Sequence, residues 1–396
     1  MKKITLISLA AATVAFAGGY KIPENSLNSV ALSGAYVANA HGADAAYSNP
    51  ANMVFSTHNG SALEVDLTYI GLSEVNYKGT DIATGGAIVH DINSKGESFV
   101  VPTVHYVSPA VGDMRFGLSI VAPAGLTKRW EDAPGSLYAK EFSMEVVEIN
   151  PTIAYKVNDQ LAIAAGIRAI YSKAKAVNAS FDLDGTGLNW GYNLAVSLKP
   201  SNESTVSVTY RSRIDMKMDG DATVTGTPAV TGGDTSLPLP GQFSAAFAYT
   251  FNSDTTVEVV VEHTMWSAYD SLDINFDPAG TSNTAKNWED TDTFRLGVTQ
   301  KYDAWTAMAG LGYDPSPVPT STINYELPDS TGKFISLGGR YAFNENLEVG
   351  LAALYDMKDD RAVYQTHPAS SSVVLKNGEF TNASAFLVTA GVEYKF

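Results

Sequence analysis

Apolar and polar residues alternate with a period of two along most of the chain after about residue 60. Such alternation places one face of a strand in an apolar environment and the other in a wet one. Many of these runs reach ten residues, whereas strands of soluble domains average about five or six. The pattern therefore predicts long strands of a membrane-spanning β-barrel. Clear examples are Leu161, Ile163, Ala165, Ile167, Ala169 and Tyr171; Val257, Val259 and Val261; and Leu347, Val349 and Leu351.

The number and spacing of these runs predict a closed antiparallel barrel. Six connections are short, such as "VND", "FNSD" and "NEN", and they alternate with connections of about 10 to 25 residues. Outer-membrane barrels show this asymmetry, with short periplasmic turns and long external loops. We predict fourteen strands, at 61–75, 93–107, 112–124, 140–156, 160–175, 186–199, 203–216, 240–251, 254–266, 289–302, 303–313, 332–344, 345–358 and 381–396.

The first seventeen residues, "MKKITLISLAAATVAFA", have the composition of a secretory signal. Two lysines precede an apolar run of about 13 residues, and Ala15-Phe16-Ala17 fits a signal-peptidase site. The run is shorter than the roughly 20 residues that a membrane-spanning helix needs. We therefore predict that residues 1–17 are a signal peptide and that the rest of the chain is exported.

Composition narrows the possible functions further. The chain has a formal net charge of −16 and no cysteine, which argues against nucleic acid as a partner and leaves no disulfide. Its six histidines are scattered without metal-ligand spacing, and no Ser/His pair is placed for catalysis. We therefore expect no metal, no cofactor and no enzyme activity.

The last strand, "SAFLVTAGVEYKF", ends on aromatic residues of one face, with Tyr394 and Phe396 last. This ending resembles the signal by which outer-membrane proteins are recognised for assembly, so we expect the barrel assembly machinery as a partner. Pairing of the first strand with the last would leave no exposed edge, as a membrane requires.

Several stretches, in this order and at this spacing, resemble the FadL family of outer-membrane transporters for long-chain fatty acids and other hydrophobic compounds. They are "GADAAYSNPANM", "APAGLTKRW", "EINPTIAYKVNDQLAIAAGIRAIYSKAK", "NWGYNLAVSLKP", "VTYRS", "LPLP", "GYDPSPVP" and "RYAFNENLEVG". The resemblance implies an all-β fold, a 14-stranded antiparallel transmembrane β-barrel plugged by a small N-terminal hatch domain. Residues 18–57 would be the hatch and 58–396 the barrel of a bacterial outer-membrane protein. The implied function is passive uptake of hydrophobic molecules.

The resemblance also assigns roles to two short stretches. Asn49, Pro50 and Ala51 match the part of the hatch that gates the exit. Ala122, Pro123, Ala124 and Gly125 match a kink in the third strand through which cargo would leave sideways. The local chemistry agrees, since Pro123 has no N–H for a neighbouring strand and Gly125 tolerates backbone angles that a regular strand excludes. The alternative is that Pro123 only marks the end of the strand at a loop.

A hydrophobic cargo needs apolar surface inside the barrel. The phase of the strands turns Phe142, Met144 and Val146 inward, together with Ile170, Met308 and Phe334, so these residues are candidates for the binding pocket. Inward arginines could receive a cargo carboxylate or pair with Glu148, Glu258 and Glu262; a buried charge is costly without a partner. The arginines are Arg168, Arg211, Arg213, Arg295 and Arg340.

The expected partners are a hydrophobic small molecule (a fatty acid, a detergent-like molecule or an aromatic), outer-membrane lipid and lipopolysaccharide, and we expect a monomer. The third external loop, 176–187, is only about a dozen residues long, with Phe181 and Leu183 as its large apolar groups, and the fourth spans 217–240. Two other functions stay open at this point. One is a general diffusion porin for small polar solutes, and the other is a lipid-modifying enzyme of the outer membrane.

Overall fold

A computed structural model describes residues 18–81, 88–227, 229–252, 254–364 and 375–396. The expected signal peptide, 1–17, lies outside the described residues. Short helices are α1 (Leu27–Ala31), α2 (Ala45–Ser48) and α3 (Gly135–Ala139), with 3₁₀ helices at Pro50–Phe55 and Trp266–Ala268. No helix in the described part of the chain is long and apolar enough to cross a membrane.

The strands among the described residues are β1 (Ala62–Leu72), β2 (Asn76–Asp81), β3 (Val89–Asn93), β4 (Glu97–Val107), β5 (Met114–Val121), β6 (Gly125–Lys128), β7 (Glu141–Lys156), β8 (Leu161–Val177), β9 (Phe181–Leu198), β10 (Ser204–Arg211), β11 (Ile214–Val224), β12 (Gly232–Leu239), β13 (Gln242–Phe251), β14 (Thr255–Thr264), β15 (Ser271–Asp277), β16 (Gly280–Ala285), β17 (Thr291–Tyr302), β18 (Trp305–Asp314), β19 (Gly332–Ala342), β20 (Leu347–Lys358), β21 (Arg361–Tyr364), β22 (Leu375–Thr381) and β23 (Ser384–Lys395).

Nineteen of these segments form one antiparallel sheet that closes on itself, because β1 pairs with both β4 and β23. Five wall strands are each interrupted once, as β5/β6, β10/β11, β12/β13, β14/β15 and β16/β17, so the nineteen segments make fourteen wall strands. The predicted closed barrel of fourteen antiparallel strands is confirmed. Closure leaves no free edge at this seam, where Thr68 and Thr389 also share a hydrogen bond of 2.8 Å.

The two faces of the wall differ as the period-two pattern predicts. Along β7, Ile149, Ile153 and Tyr155 are exposed outward while Glu148 and Asn150 are fully buried inward. Large apolar and aromatic side chains cover the outer surface, including Trp190, Tyr249, Trp305 and Phe343. This exposed apolar belt is suited to lipid.

The wall strands extend further at the long-loop end than the sequence analysis predicted. The expected third loop, 176–187, is wrong: β8 runs to Val177 and β9 starts at Phe181, so only three residues connect them. Much of the expected fourth loop is likewise strand, in β11 and β12. Beyond the lipid the outer face of these strands meets water. Their outward positions are therefore polar, such as Asp and Lys, instead of apolar as in the membrane-spanning part. They were therefore mistaken for loops.

A second sheet, in the order β21, β22, β2 and β3, is built from the connections that follow the first and thirteenth wall strands. Its side chains Tyr77 and Phe380 pack on Trp130 and Tyr325 from other long connections. These four aromatic residues form a compact cap at the long-loop end.

Candidate functional site

The wall parts between the second and third strands. The ladder between β4 and β5 stops at Val104 and Ile120, and an isolated bridge joins Ser94 to Trp130 further up. The pairs Val104/Ile120 and Ser94/Trp130 are in the same register, because they are ten residues apart on both strands. Next to the bridge the Lys95 N–H donates to the carbonyl oxygen of Arg129 at 2.8 Å. Between these two points, residues 96–103 of the second wall strand and residues 121–128 of the third form no ladder with each other. We call this opening the parting.

The third wall strand bends inward along the parting. β5 ends at Val121 and β6 begins at Gly125, so Ala122, Pro123 and Ala124 lie between two segments that both pair with β7. Three residues here oppose two on β7, as in a β-bulge. The residues 121–128 are all buried, and the inside-outside alternation is lost. Gly125 is not among the glycines with positive φ, so the kink does not depend on a left-handed glycine.

The start of the described chain fills the strand position that β4 leaves open. The Ile22 N–H donates to the carbonyl oxygen of Pro123, the Gly125 N–H donates to that of Tyr20, and both distances are 2.9 Å. Lys21 and Ala124 face each other as an antiparallel bridge. We call residues 18–22 the strap. It is a short added strand along the kink.

Side chains of the strap bind the opposite side of the lumen. The ammonium of Lys21 pairs with Glu262 and lies 3.0 Å from the hydroxyl of Thr264, both on β14. The Tyr20 ring lies against Trp266 and Trp288, with ring centroids 4.9 and 5.6 Å apart. The strap therefore crosses the lumen between the kink and the ninth strand.

An apolar cluster surrounds the strap in the long-loop half of the barrel. Met144, Val146 and Ile170 are buried in it, and Phe142 packs against it. Phe142 also lines a narrow cavity together with Tyr20 and Trp288. The structure thus brings four of the predicted pocket residues together around the strap.

Two predicted pocket residues lie elsewhere. Met308 and Phe334 belong to a second apolar cluster that includes Leu27, Val30 and Leu32 of the N-terminal segment. Their inward orientation agrees with the predicted phase of the strands. Met308 lies in the short-turn half of β18, opposite Gly338, whereas Phe334 lies near the long-connection end of β19, opposite Gly312. A role in cargo binding stays a prediction for both.

The inward arginines are engaged by protein groups. Arg168 donates to both carboxylate oxygens of Glu148 at 2.9 Å and to the Ser212 carbonyl oxygen at 2.9 Å. Ion pairs also join Arg211 to Glu148 and Arg340 to Glu64. All three guanidinium nitrogens of Arg168 are used, which does not favour the expectation that it receives a cargo carboxylate.

Arg213 does not point inward. It is about half exposed and pairs with Asp215 at 2.7 Å. The break between β10 and β11, at residues 212–213, shifts the phase of the strand. The expected inward position of Arg213 is therefore wrong.

Residues 18–55 contact the inward face of the wall all the way round. Hydrogen bonds join this segment to the first, second, sixth, seventh, ninth, tenth, twelfth and fourteenth wall strands, at Asp66, His105, Ser197, Arg211, Glu258, Arg295, Ser336 and Glu393. A segment with such contacts lies within the lumen. At Gly310 and Gly338 an added Cβ would come within 2.2 and 2.5 Å of Leu32 and Ala31, so glycine is needed for this close approach.

Glu258 binds the segment through three consecutive amides. Its carboxylate accepts from the N–H groups of Val37 (2.7 Å), Ala38 (2.6 Å) and Asn39 (3.1 Å). Among the described residues no cation lies within 4.0 Å of it. This buried carboxylate is therefore satisfied chiefly by the backbone of the N-terminal segment.

Asn49, Pro50 and Ala51 are buried in the same segment. The side chain of Asn49 accepts from the Ala51 N–H at 3.2 Å, which caps the 3₁₀ helix that begins at Pro50. Its amide nitrogen donates to the Val37 carbonyl oxygen (2.9 Å) and to Ser197 of the wall (2.8 Å). The triplet thus joins the two halves of the segment to the sixth wall strand.

No sequence pattern predicted a role for five residues of this region: Tyr20, Lys21, Trp266, Tyr269 and Trp288. The two tryptophans were available as a signal, because the chain has only five and both lie at the ends of the stretch 266–288 that was predicted to connect the ninth and tenth strands. That connection was treated as a loop although Leu272, Ile274 and Phe276 alternate with polar residues, because its apolar side chains point inward and its outward positions are polar. No group of three or more His, Asp or Glu among the described residues is placed to hold a metal ion.

Comparisons with known proteins agree on one family. The profile of a family described as "Outer membrane protein transport protein (OMPP1/FadL/TodX)" matches residues 8–396. A "Long-chain fatty acid transport protein" of Escherichia coli O6:H1 is 25% identical over 307 residues, covering 64% of this chain and 69% of that protein.

Two solved structures have the same fold. The structure of a Pseudomonas aeruginosa FadL homologue superposes with a TM-score of 0.86 at 19% identity, covering 96% of this chain and all of that one. The toluene transporter TodX of Pseudomonas putida superposes with a TM-score of 0.68 at 16% identity, covering 94% and 99%.

Proposed function

The chain belongs to the outer-membrane transport family that includes FadL and TodX, and from this premise we propose that it takes up hydrophobic molecules passively and releases them sideways through the parting. Fatty acids and aromatic hydrocarbons are the candidate cargoes, because relatives are named for their transport. Residues 18–57 act as the hatch in this proposal, with Asn49, Pro50 and Ala51 fixing its position.

The observation that carries the proposal is the parting with the strap inside it. A closed barrel wall satisfies every backbone group and offers no sideways exit. Here the wall strands β4 and β5 separate and rejoin in register, and the backbone groups of Pro123 and Gly125 bond instead to the strap. Withdrawal of five residues would open the wall without breaking any wall ladder.

Energetics favour release into lipid. Exposure of apolar surface to water costs about 0.8 kcal/mol per CH₂ group. A chain of a dozen methylenes that left downward into water would therefore face a cost on the order of 10 kcal/mol. Sideways release into the membrane avoids this cost, and no energy source is needed when the cargo moves from one apolar environment to another.

The strap would also couple cargo binding to the opening of the parting. Tyr20 lies in the aromatic cluster that lines the candidate pocket, and its neighbour Lys21 faces the kink at Ala124. Cargo that displaces the Tyr20 ring from Trp266 and Trp288 pulls on the residues that close the parting. A general diffusion porin is not favoured, because the N-terminal segment bonds to strands on all sides of the lumen.

A reversible cross-link tests the proposal. The bridge between Lys21 and Ala124 is a non-hydrogen-bonded antiparallel pair, whose Cα atoms lie typically about 4.5 Å apart. The chain has no cysteine of its own, so Lys21→Cys with Ala124→Cys would form a single defined disulfide. We expect uptake to be lost when the pair is oxidised and restored by a reducing agent. Each single variant, and the reduced double variant, serves as a control. Equal uptake by the oxidised and reduced forms would show that the strap need not move.

A further inference from the structure

Glu262 on β14 lies between two cations that come from different parts of the molecule. One is the ammonium of Lys21 on the strap, which forms an ion pair with the carboxylate oxygen Oε1 of Glu262. The other is the guanidinium of Arg295 on β17, whose Nη2 lies 3.7 Å from the same oxygen. The second distance is too long for a hydrogen bond. Lys21 therefore binds the carboxylate, and Arg295 lies beside it.

Arg295 is held in this place by other groups. It is 3% exposed, its Nη1 donates to the Ser33 carbonyl oxygen at 2.9 Å, and the Glu24 carboxylate lies 3.8 Å away. Its Nη2 has no hydrogen-bond partner among the described residues. A buried donor without a partner is costly. The structure thus keeps an unused donor of a fixed cation next to the carboxylate that Lys21 occupies.

A small cavity gives these groups room to shift. It has a volume of about 80 Å³, and its lining includes Lys21, Glu262 and Arg295 together with Gln242 and Ser244. A movement of only about 0.8 Å would bring the Arg295 guanidinium from its present 3.7 Å to the distance of an ordinary charge-assisted hydrogen bond. The guanidinium can therefore reach the carboxylate without any rearrangement of the wall.

We propose that Arg295 is the replacement partner of Glu262, a positioning residue that binds the carboxylate when the strap withdraws and releases it when Lys21 returns. The inference rests on the proposed transport function and adds the step by which the parting opens. Removal of one partner of a buried ion pair is strongly unfavourable, because the remaining charge has no counterion. With Arg295 present, withdrawal of Lys21 exchanges one ion pair for another, so the strap can leave without exposing a bare buried carboxylate.

A purely structural role for Arg295 makes the opposite prediction. If the guanidinium only held the Ser33 carbonyl oxygen, its loss would loosen the segment that carries the strap, and the strap would withdraw more often. If it replaces Lys21, its loss leaves Glu262 without a counterion in the open state, and the strap withdraws less often. The direction of the change therefore separates the two roles.

The test measures strap withdrawal as the labelling rate of a single cysteine at position 124. Ala124 faces Lys21 of the strap and is 1% exposed, and the chain has no cysteine of its own. In purified full-length Ala124→Cys protein, a methanethiosulfonate reagent therefore reacts only after local opening. We expect Arg295→Met to slow labelling at least about tenfold and Arg295→Lys to keep most of the parent rate. In a Lys21→Met background the slowing should be absent, because there no cation leaves Glu262 on opening.

Two further variants complete the experiment. Arg295→Gln, which keeps an N–H donor but no charge, should slow labelling as Arg295→Met does, and it replaces that variant if the latter does not form a heat-resistant barrel. Arg340→Met is the matched control. Arg340 is also a buried inward arginine that binds the N-terminal segment, at Asn28, but its carboxylate partners are Glu64 and Glu348. Its loss should not slow labelling.

The outcomes are distinct. Unchanged or faster labelling in the Arg295→Met and Arg295→Gln variants would overturn the inference, and so would the same slowing in the Lys21→Met background or in Arg340→Met. If the thiol of the Ala124→Cys parent were never labelled, with or without dodecanoate or toluene, the strap would not move, and the proposed transport function itself would fail.

Discussion

The N-terminal segment has two parts that are held by different contacts: the strap, residues 18–22, and the rest of the proposed hatch, residues 23–57, to which the word hatch refers below. The hatch is bound to eight wall strands, largely through buried polar groups such as Asp66, Glu258 and Arg295. The strap is held by two backbone hydrogen bonds to the kink, by the Gly19 N–H bond to Asp329, by the ion pair and the Thr264 bond of Lys21, and by the hydroxyl bond to the Pro238 carbonyl oxygen and the aromatic contacts of Tyr20. The strap is only five residues long, so its total number of contacts with the wall is smaller than that of the rest of the segment. In the proposed mechanism it is the part that apolar cargo displaces, while the rest of the hatch stays in place.

The largest effect on uptake should follow from loss of Asn49, Pro50 and Ala51, which join the two halves of the hatch. Deletion of Asn49 to Ala51 removes the cap of the 3₁₀ helix and both donor bonds of Asn49. We expect uptake to be abolished while the protein remains a folded, heat-resistant barrel, measured by cargo uptake and by gel mobility with and without heating.

A single substitution in the same triplet, compared with a matched substitution in an exposed turn, provides the control for the deletion. Asn49→Ala should lower uptake partly, whereas Asn158→Ala should not, although Asn158 caps the exposed turn after β7 through similar bonds to backbone N–H groups. Unchanged uptake by the deletion would remove the hatch from the mechanism.

Blocking the parting should separate binding from release. Ala122→Arg or Gly125→Arg places a bulky charge in a stretch where every residue from 121 to 128 is buried. We expect uptake to fall at least about tenfold, with cargo affinity within about twofold of wild type. Ala179→Arg, at an exposed turn, is the control. Normal uptake in both kink variants would rule out sideways release.

Breaking the Glu258 contact should loosen the hatch without touching the strap. Glu258→Ala leaves the N–H groups of Val37, Ala38 and Asn39 without their carboxylate, and each unsatisfied buried amide costs about 1–3 kcal/mol. We expect ion conductance in planar bilayers to rise several-fold. Glu345→Ala, in an exposed turn, should conduct as wild type does. A conductance equal to that of wild type would show that the remaining wall contacts hold the hatch alone.

The hatch should also respond to pH through Glu24, which joins the strap to α1. Burial raises the pKa of Glu24 to about 7, against the opposing effect of the Arg295 guanidinium 3.8 Å away. The pKa of Glu24 is about 7 while the hatch is bound in the lumen (the seated state) and about 4.5 once the hatch is released. This difference stabilises the seated state fully below pH 4.5, and the stabilisation is lost as the pH rises through 7. The difference corresponds to about 3 kcal/mol at most.

We therefore expect basal conductance to increase a few-fold between pH 5.5 and pH 8. Glu24→Gln should flatten this dependence, while Glu203→Gln, in an exposed turn, should preserve it. A flat profile for wild type would mean that Glu24 does not control seating.

Much of the wall could be read from the sequence, and the reason is physical. Lipid outside and polar groups inside impose period two, so β7, β14 and β20 were predicted to within two residues. The extensions of β9 and β11 were missed because water on their outer face inverts that signal: polar residues such as Asp182 and Lys217 point outward and apolar residues point inward. The strap was missed because its meaning comes from residues about 100 and 240 positions away, at Ala124 and Glu262. No local pattern at Tyr20 and Lys21 indicates such partners.

The smallest effect should come from substitutions in the outer cavity, which entering cargo would meet before it reaches the strap and the hatch. Phe181 lines a cavity of about 330 Å³ near the long-loop end and packs on Phe276, with ring centroids 5.2 Å apart. Leu183 is 2% exposed in the apolar cluster, so it supports the wall rather than the cavity surface.

Phe181→Ala therefore tests capture alone. Because Leu272, Ile274 and Phe276 still line the cavity, we expect the rate of initial cargo binding to fall only about twofold, with uptake at saturating cargo unchanged. Leu183→Ala should instead lower the thermal stability of the barrel, since removal of a buried leucine side chain costs about 2–5 kcal/mol. Phe181→Ala that eliminated binding would mean that the outer cavity, and not the strap region, controls the affinity for cargo. The contrast between a fixed hatch and a displaceable strap would then no longer explain how this barrel selects what it transports.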